Sequence, residues 1–117
     1  IKTFNKCMIG SSALEMKNKM IQTITRQAAR WSTAASQDEN PMIRVLHANY
    51  GAGYLWALRD VASADDIRDA TGLDVLKFQS EIVAAQDDAT RKMIEVCPKY
   101  APKQTYLTSI GGEGKEI

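Results

Sequence analysis

The stretch HANYGAGYLW, His47 through Trp56, gathers most of the side chains in this chain that could do chemistry. It holds the only histidine, one of two tryptophans, two of four tyrosines and two of seven glycines. An imidazole can act as acid, base or ligand near neutral pH. Tyrosine hydroxyls can donate and accept hydrogen bonds beside it. Gln79 and Gln86 lie seven residues apart on a later apolar helix, and a buried amide needs partners. His47, Tyr50, Tyr54, Gln79 and Gln86 are therefore the residues expected at a small-ligand site, if there is one. Enzyme chemistry has less support. Nucleophilic catalysis needs the imidazole beside a serine, cysteine or carboxylate, and nothing in the sequence places one beside His47. Carboxylate-bridged metal centres in helical bundles use Glu-x-x-His, whereas Arg44 stands three residues before His47. No catalytic residue, metal site or cofactor is expected.

Three further motifs suggest binding rather than catalysis. Lys19, Arg26 and Arg30 fall on one face of the first helix, where they could meet nucleic acid or an acidic partner. The run SADDIRDATGLD carries four aspartates, but it lacks the alternating acids, central glycine and late glutamate of a calcium loop. Asp65 and Asp66 suit a helix N-terminus, where the helix dipole favours negative charge. The same segment has the outline of a helix-turn-helix. Arg68 stands where that motif packs a small residue. Asp74 and Glu81 would face phosphates, which costs affinity.

The elements that must position these residues read as helices. Ser12-Ala13-Leu14-Glu15 has the form of a capping box, so the first helix is expected from there to about Gln37, after an irregular lead of ten residues. Leu14, Ile21, Ile24, Ala28, Trp31 and Ala35 form its apolar stripe. Asn40-Pro41 starts a second helix, with asparagine as cap and proline at the first helical position. It runs to about Ala62. Ser63-Ala64-Asp65-Asp66 opens a short helix that Gly72 closes. Asp74 caps a last helix, which Pro98 ends. No segment alternates with period two over a useful length, so the chain is expected to be all-α. The architecture is an antiparallel bundle of three long helices of matched length and one short one, in a single domain spanning residues 1–117. Residues 98–117 read as a C-terminal arm able to dock through Tyr100, Tyr106, Leu107 or Ile110.

The second helix is apolar nearly all round. Ile43, Leu46, His47, Tyr50, Tyr54, Ala57, Leu58 and Val61 form one broad stripe, and a helix so apolar is expected to be central, with neighbours on several sides, some of them from another chain. Val45, Ala48, Ala52, Leu55 and Trp56 lie behind it. Gly51 and Gly53 interrupt the pattern, as close-approach points, a hinge or a break. The last helix has a similar breadth: Val75, Phe78, Ile82, Ala85, Ala89, Met93 and Val96, then Leu76, Val83 and Ile94. So much apolar helix surface points to a homo-oligomer.

Composition sets the remaining bounds. The chain has 117 residues, 44% of them hydrophobic and 25% charged, which is ordinary for one globular domain. Its net charge is only +1, so nucleic acid is a less favoured partner. Six bases face one acid over residues 1–37, and eleven acids face six bases over 38–95, which favours association of the two parts. No run approaches the roughly 18 apolar residues of a membrane span, and no secretory signal is read at the start. Cys7 and Cys97 are far apart and outside any CxxC motif, which suggests unpaired thiols.

The run HANYGAGYLWALRDVASADDIRDATGLDVLKFQSEIVAAQDDATRKMIE resembles small helical proteins encoded by marine bacteriophages of cyanobacteria, over residues 41–97. That resemblance carries no function. It implies a cytoplasmic setting, the host cytoplasm for a phage protein. The leading expectation is a non-enzymatic helical interaction or assembly protein that self-associates through apolar helix faces. The alternatives are a nucleic-acid-binding accessory protein and a small-ligand site around His47.

Overall fold

The computed structural model describes residues 2–99, with side chains from Ser12 onward. It contains four α-helices: α1 (Lys2–Gln37), α2 (Pro41–Val61), α3 (Ala64–Thr71) and α4 (Val75–Val96). Among the described residues there is no strand, and the chain is all-α. The C-terminal arm beyond Lys99, and any pairing of Cys7 with Cys97, lie outside the described residues.

The predicted punctuation holds from the first turn onward. Asn40 caps α2, its side chain accepting from the Met42 and Ile43 amides at 2.9 and 3.3 Å. Ser63 and Asp66 form a reciprocal capping box on α3. The Ser63 amide, the Lys17 ammonium at 3.2 Å and the Ser63 hydroxyl all favour the Asp66 carboxylate, so its pKa lies below the ordinary value. Gly72 closes α3 with φ 76°, a left-handed conformation that suits glycine. Asp74 caps α4 through the Leu76 and Lys77 amides, and α4 stops two residues before Pro98. Asn40→Ala should cost about 1 kcal/mol, read as a lower urea midpoint with an unchanged slope.

The beginning of α1 differs from the expectation. The helix starts at Lys2, not at Ser12, and spans 36 residues. No proline interrupts residues 2–37, so the Ser12–Glu15 pattern lies within a continuing helix. With α2 at 21 residues and α4 at 22, the long helices are not matched. At 1.5 Å per residue, α1 outruns its neighbours by roughly 20 Å.

Three apolar layers show how the helices run. Ile21 packs with Leu58, Ala62, Ile67 and Val75 at one end. Ala28 meets Ala52, Leu55 and Ile82 in the middle. Ala35 meets Val45, Ala48 and Ala89 at the other end. Residue numbers rise along α1 and α4 as they fall along α2, so α2 is antiparallel to both. Buried α1 positions are alanines, isoleucine and Thr25, whose hydroxyl donates back to the Ile21 carbonyl at 2.7 Å. Small residues let α1 and α2 approach closely. In the α3–α4 pair, Val75 and Ile82 of α4 are buried in the core, while Asp74 and Glu81 are exposed.

Gly51 marks a close approach of α2 to α1. A Cβ added there would lie 2.2 Å from Ser32 Oγ and 3.0 Å from both the Ala28 carbonyl oxygen and the Ser32 amide nitrogen. The helix passes unbroken through Gly51 and Gly53, so there is no break at these glycines.

Candidate functional site

Of the two apolar sides of α2, the structure packs the one behind the aromatic stripe against the protomer, so His47, Tyr50 and Tyr54 do not form a polar network inside the bundle. The buried residues of α2 are Val45, Ala48, Gly51, Ala52, Leu55 and Leu58. The broad aromatic stripe points outward instead: Leu46 is 42% exposed, Tyr50 45%, Tyr54 39% and Val61 65%. Only Leu58 of that stripe is buried in the core. The reason is steric. The side of α2 rich in alanine and glycine can come close to the alanines of α1, and bulky tyrosines cannot.

The outward face has relief. Trp31 of α1 and Asn49, Tyr50, Gly53, Tyr54 and Ala57 of α2 line an open groove of about 510 Å³. Gly53 and Ala57, one turn apart, are its small lining residues, and Trp31, Tyr50 and Tyr54 its aromatic ones. A Cβ placed on Gly53 meets nothing within 4 Å. A second groove of about 370 Å³ continues the apolar surface along α1, with Met16, Met20, Ile24 and Val61 in its lining.

At the rim sits a ring cluster. His47 lies 5.0 Å from Trp31 between centroids, and Tyr50 meets Trp31 edge-on at 5.4 Å, within the range of favourable aromatic pairs. The Asp38 carboxylate accepts a hydrogen bond from His47 Nδ1 at 2.6 Å. The sequence showed no carboxylate beside His47, and the turn between α1 and α2 supplies one. That turn is held by Arg44, which donates to the Asp38 carbonyl at 2.6 Å and pairs with Asp88 at 3.7 Å. An aspartate that fixes an imidazole is two-thirds of a hydrolytic triad. Among the described residues no hydroxyl or thiol is hydrogen-bonded to His47, and no cluster of three or more acids, histidines or cysteines could hold a metal ion. The hydrogen bond to Asp38 holds the His47 ring beside Trp31 and Tyr50.

The expected five-residue site divides. His47, Tyr50 and Tyr54 lie together along the outward face of α2, on the flank where Trp31 of α1 reaches His47 and Tyr50. Gln79 accepts from Arg59 at 2.6 Å, and Gln86 donates to Asn49 at 2.8 Å. Both glutamines thus bind α2, but through residues on its α4 flank rather than through His47 or the tyrosines. Asp38 and Trp31 are the members that sequence reasoning missed.

Lys19, Arg26 and Arg30 are exposed, as expected. Among the described residues none makes an ion pair; Arg30 lies 5.7 Å from the Trp31 ring centre. Lys17 pairs instead with Asp66 of α3, and Gln22 donates to the Ala70 carbonyl at 2.9 Å. No described helix is long and apolar enough to cross a membrane. No protein-family model matches the chain, and neither does any curated protein or solved structure.

Proposed function

We propose that this protein is a helical assembly protein, not an enzyme, and that it self-associates through the outward face of α2. One observation carries the reading. α2 is already packed against α1 and α4, yet it presents a second apolar face from Ile43 to Val61. A helix with apolar residues on both sides has neighbours on both sides, and the protomer supplies them on one side only. Contiguous exposed apolar surface rimmed by polar groups is characteristic of interaction sites. On the side of α1 away from its core, Arg26 and Arg30 line an open groove of about 520 Å³ with Ala29, Thr33, Ala34 and Gln37, which has no aromatic walls of the kind α2 presents.

Light scattering of wild type and of a Leu46→Lys/Tyr50→Lys variant tests this. Neither substitution touches the buried face, so helical content by circular dichroism should stay unchanged. Wild type should scatter as a multiple of the 12.9 kDa chain, and the variant as a monomer. Equal masses for the two proteins would remove the α2 face from the reading.

A further inference from the structure

We propose that the helix covering α2 is α2 of a second copy, laid antiparallel, with the twofold axis passing between Gly51 and Ala52. This deepens, and rests on, the self-association reading.

Spacing is the first support. Ile43, Leu46, Tyr50, Gly53 and Ala57 recur at intervals of three and four residues, the repeat of a helix–helix seam. These positions form the outward face, not the face packed on α1 and α4.

Gly53 is the second. A mid-helix glycine weakens a helix relative to alanine. Gly51 has its reason in the α1 crossing, but Gly53 has none within the protomer, because its surroundings are open and its φ is not positive. A glycine on an exposed seam makes room for something that arrives from outside.

Self-complementarity identifies what arrives. In antiparallel seams, the two positions of the repeat face each other across the interface. Here that sets Tyr50 over Gly53 of the partner subunit and Leu46 over Ala57 of the partner subunit. Each large side chain meets a small one, twice over, as an isologous contact requires. A parallel, in-register pair would set tyrosine on tyrosine and glycine on glycine, alternating collision with void.

Charge and area agree with this occupant. From Ile43 to Ala57 the seam carries no charged side chain, so a nucleic acid or an acidic peptide finds nothing to pair with. In the same register Asp60 continues the repeat and falls beside Ile43 of the partner subunit, at the outer end of the seam, where its exposed carboxylate stays in water. The strip from Ile43 to Val61 is about 27 Å long. Met16, Met20 and Trp31 of α1 widen it to roughly 20 Å, on the order of 500 Å² in projection against roughly 800 Å² of accessible surface buried by each partner in a standard interface. Accessible area exceeds projection on a ridged helical surface, and the two figures are comparable.

Cysteine cross-linking tests the arrangement in full-length protein carrying Cys7→Ser and Cys97→Ser. Leu46→Cys and Ala57→Cys are made separately, then mixed and oxidised. The proposal predicts a disulfide between the two variants in the mixture and little in either alone, because each cysteine lies far from its own copy across the axis. Self-linked Leu46→Cys, or a dimer by sedimentation that yields no 46–57 link, overturns the antiparallel register and leaves self-association standing. A protein that sediments only as a monomer overturns both. Gly53→Leu gives an independent reading: it should keep the helical content and weaken the dimer at least tenfold. An unchanged dissociation constant means that the seam does not cross at Gly53.

Discussion

Gly51→Leu should destabilise the protomer by about 3 kcal/mol, the upper range for overpacking a tight contact, and lower the melting temperature by more than about 10 °C. The new side chain would meet the Ala28 carbonyl and the Ser32 amide of α1, and backbone cannot step aside as a flexible side chain can. Ser32 Oγ, buried without a hydrogen-bond partner, can rotate away, but the two backbone atoms at 3.0 Å stay in place. The control is two residues away. Gly53→Ala should raise monomer stability by up to about 1 kcal/mol through helix propensity alone. Thermal melts at dilute protein, where association does not contribute, read both signs. Two glycines with the same sequence environment thus answer to different partners, Gly51 to α1 and Gly53 to the outside.

Leu55→Ala should cost about 2–5 kcal/mol. Leu55 is fully buried in the middle layer, between Ala28 of α1 and Ile82 of α4. Its fully buried neighbours on α1 and α2 are already alanines, and Trp56 and Phe78 pack only at the edge of the layer, so little side chain is available to fill the space. Urea unfolding gives the measure, with loss of at least 2 kcal/mol expected. A loss below 1 kcal/mol would mean that α1 and α4 close over the gap, and that the layer is softer than its burial implies. Leu46→Ala, on the outward face of the same helix, should change monomer stability far less.

Local grammar was legible in the sequence, and orientation was not. Asn40-Pro41, the Ser63–Asp66 box, Gly72 and Asp74 each act through their own turn of chain, so residue type and spacing suffice to place them. Ser12–Glu15 has the same spacing but no chain break before it, and the helix runs through. The face of α2 depends on something else. Hydrophobicity marks both sides as apolar, and the aromatic side looks the more core-like. What decides is volume: Ala28 and Ala35 on α1 invite Ala48, Gly51 and Ala52, and exclude tyrosine. The small residues were the readable signal for the inside. The His47–Asp38 pair was hidden because it spans the α1–α2 turn and depends on how α2 is rotated against α1. Gln79 and Gln86 were rightly paired with α2 but assigned to its wrong flank, for the same reason.

Sedimentation equilibrium of the wild-type chain across the micromolar range tests the central claim most directly. If the outward face of α2 binds a second copy, the average mass rises with concentration from the 12.9 kDa of one chain to twice that value and levels off. A mass that stays at 12.9 kDa at every concentration contradicts it.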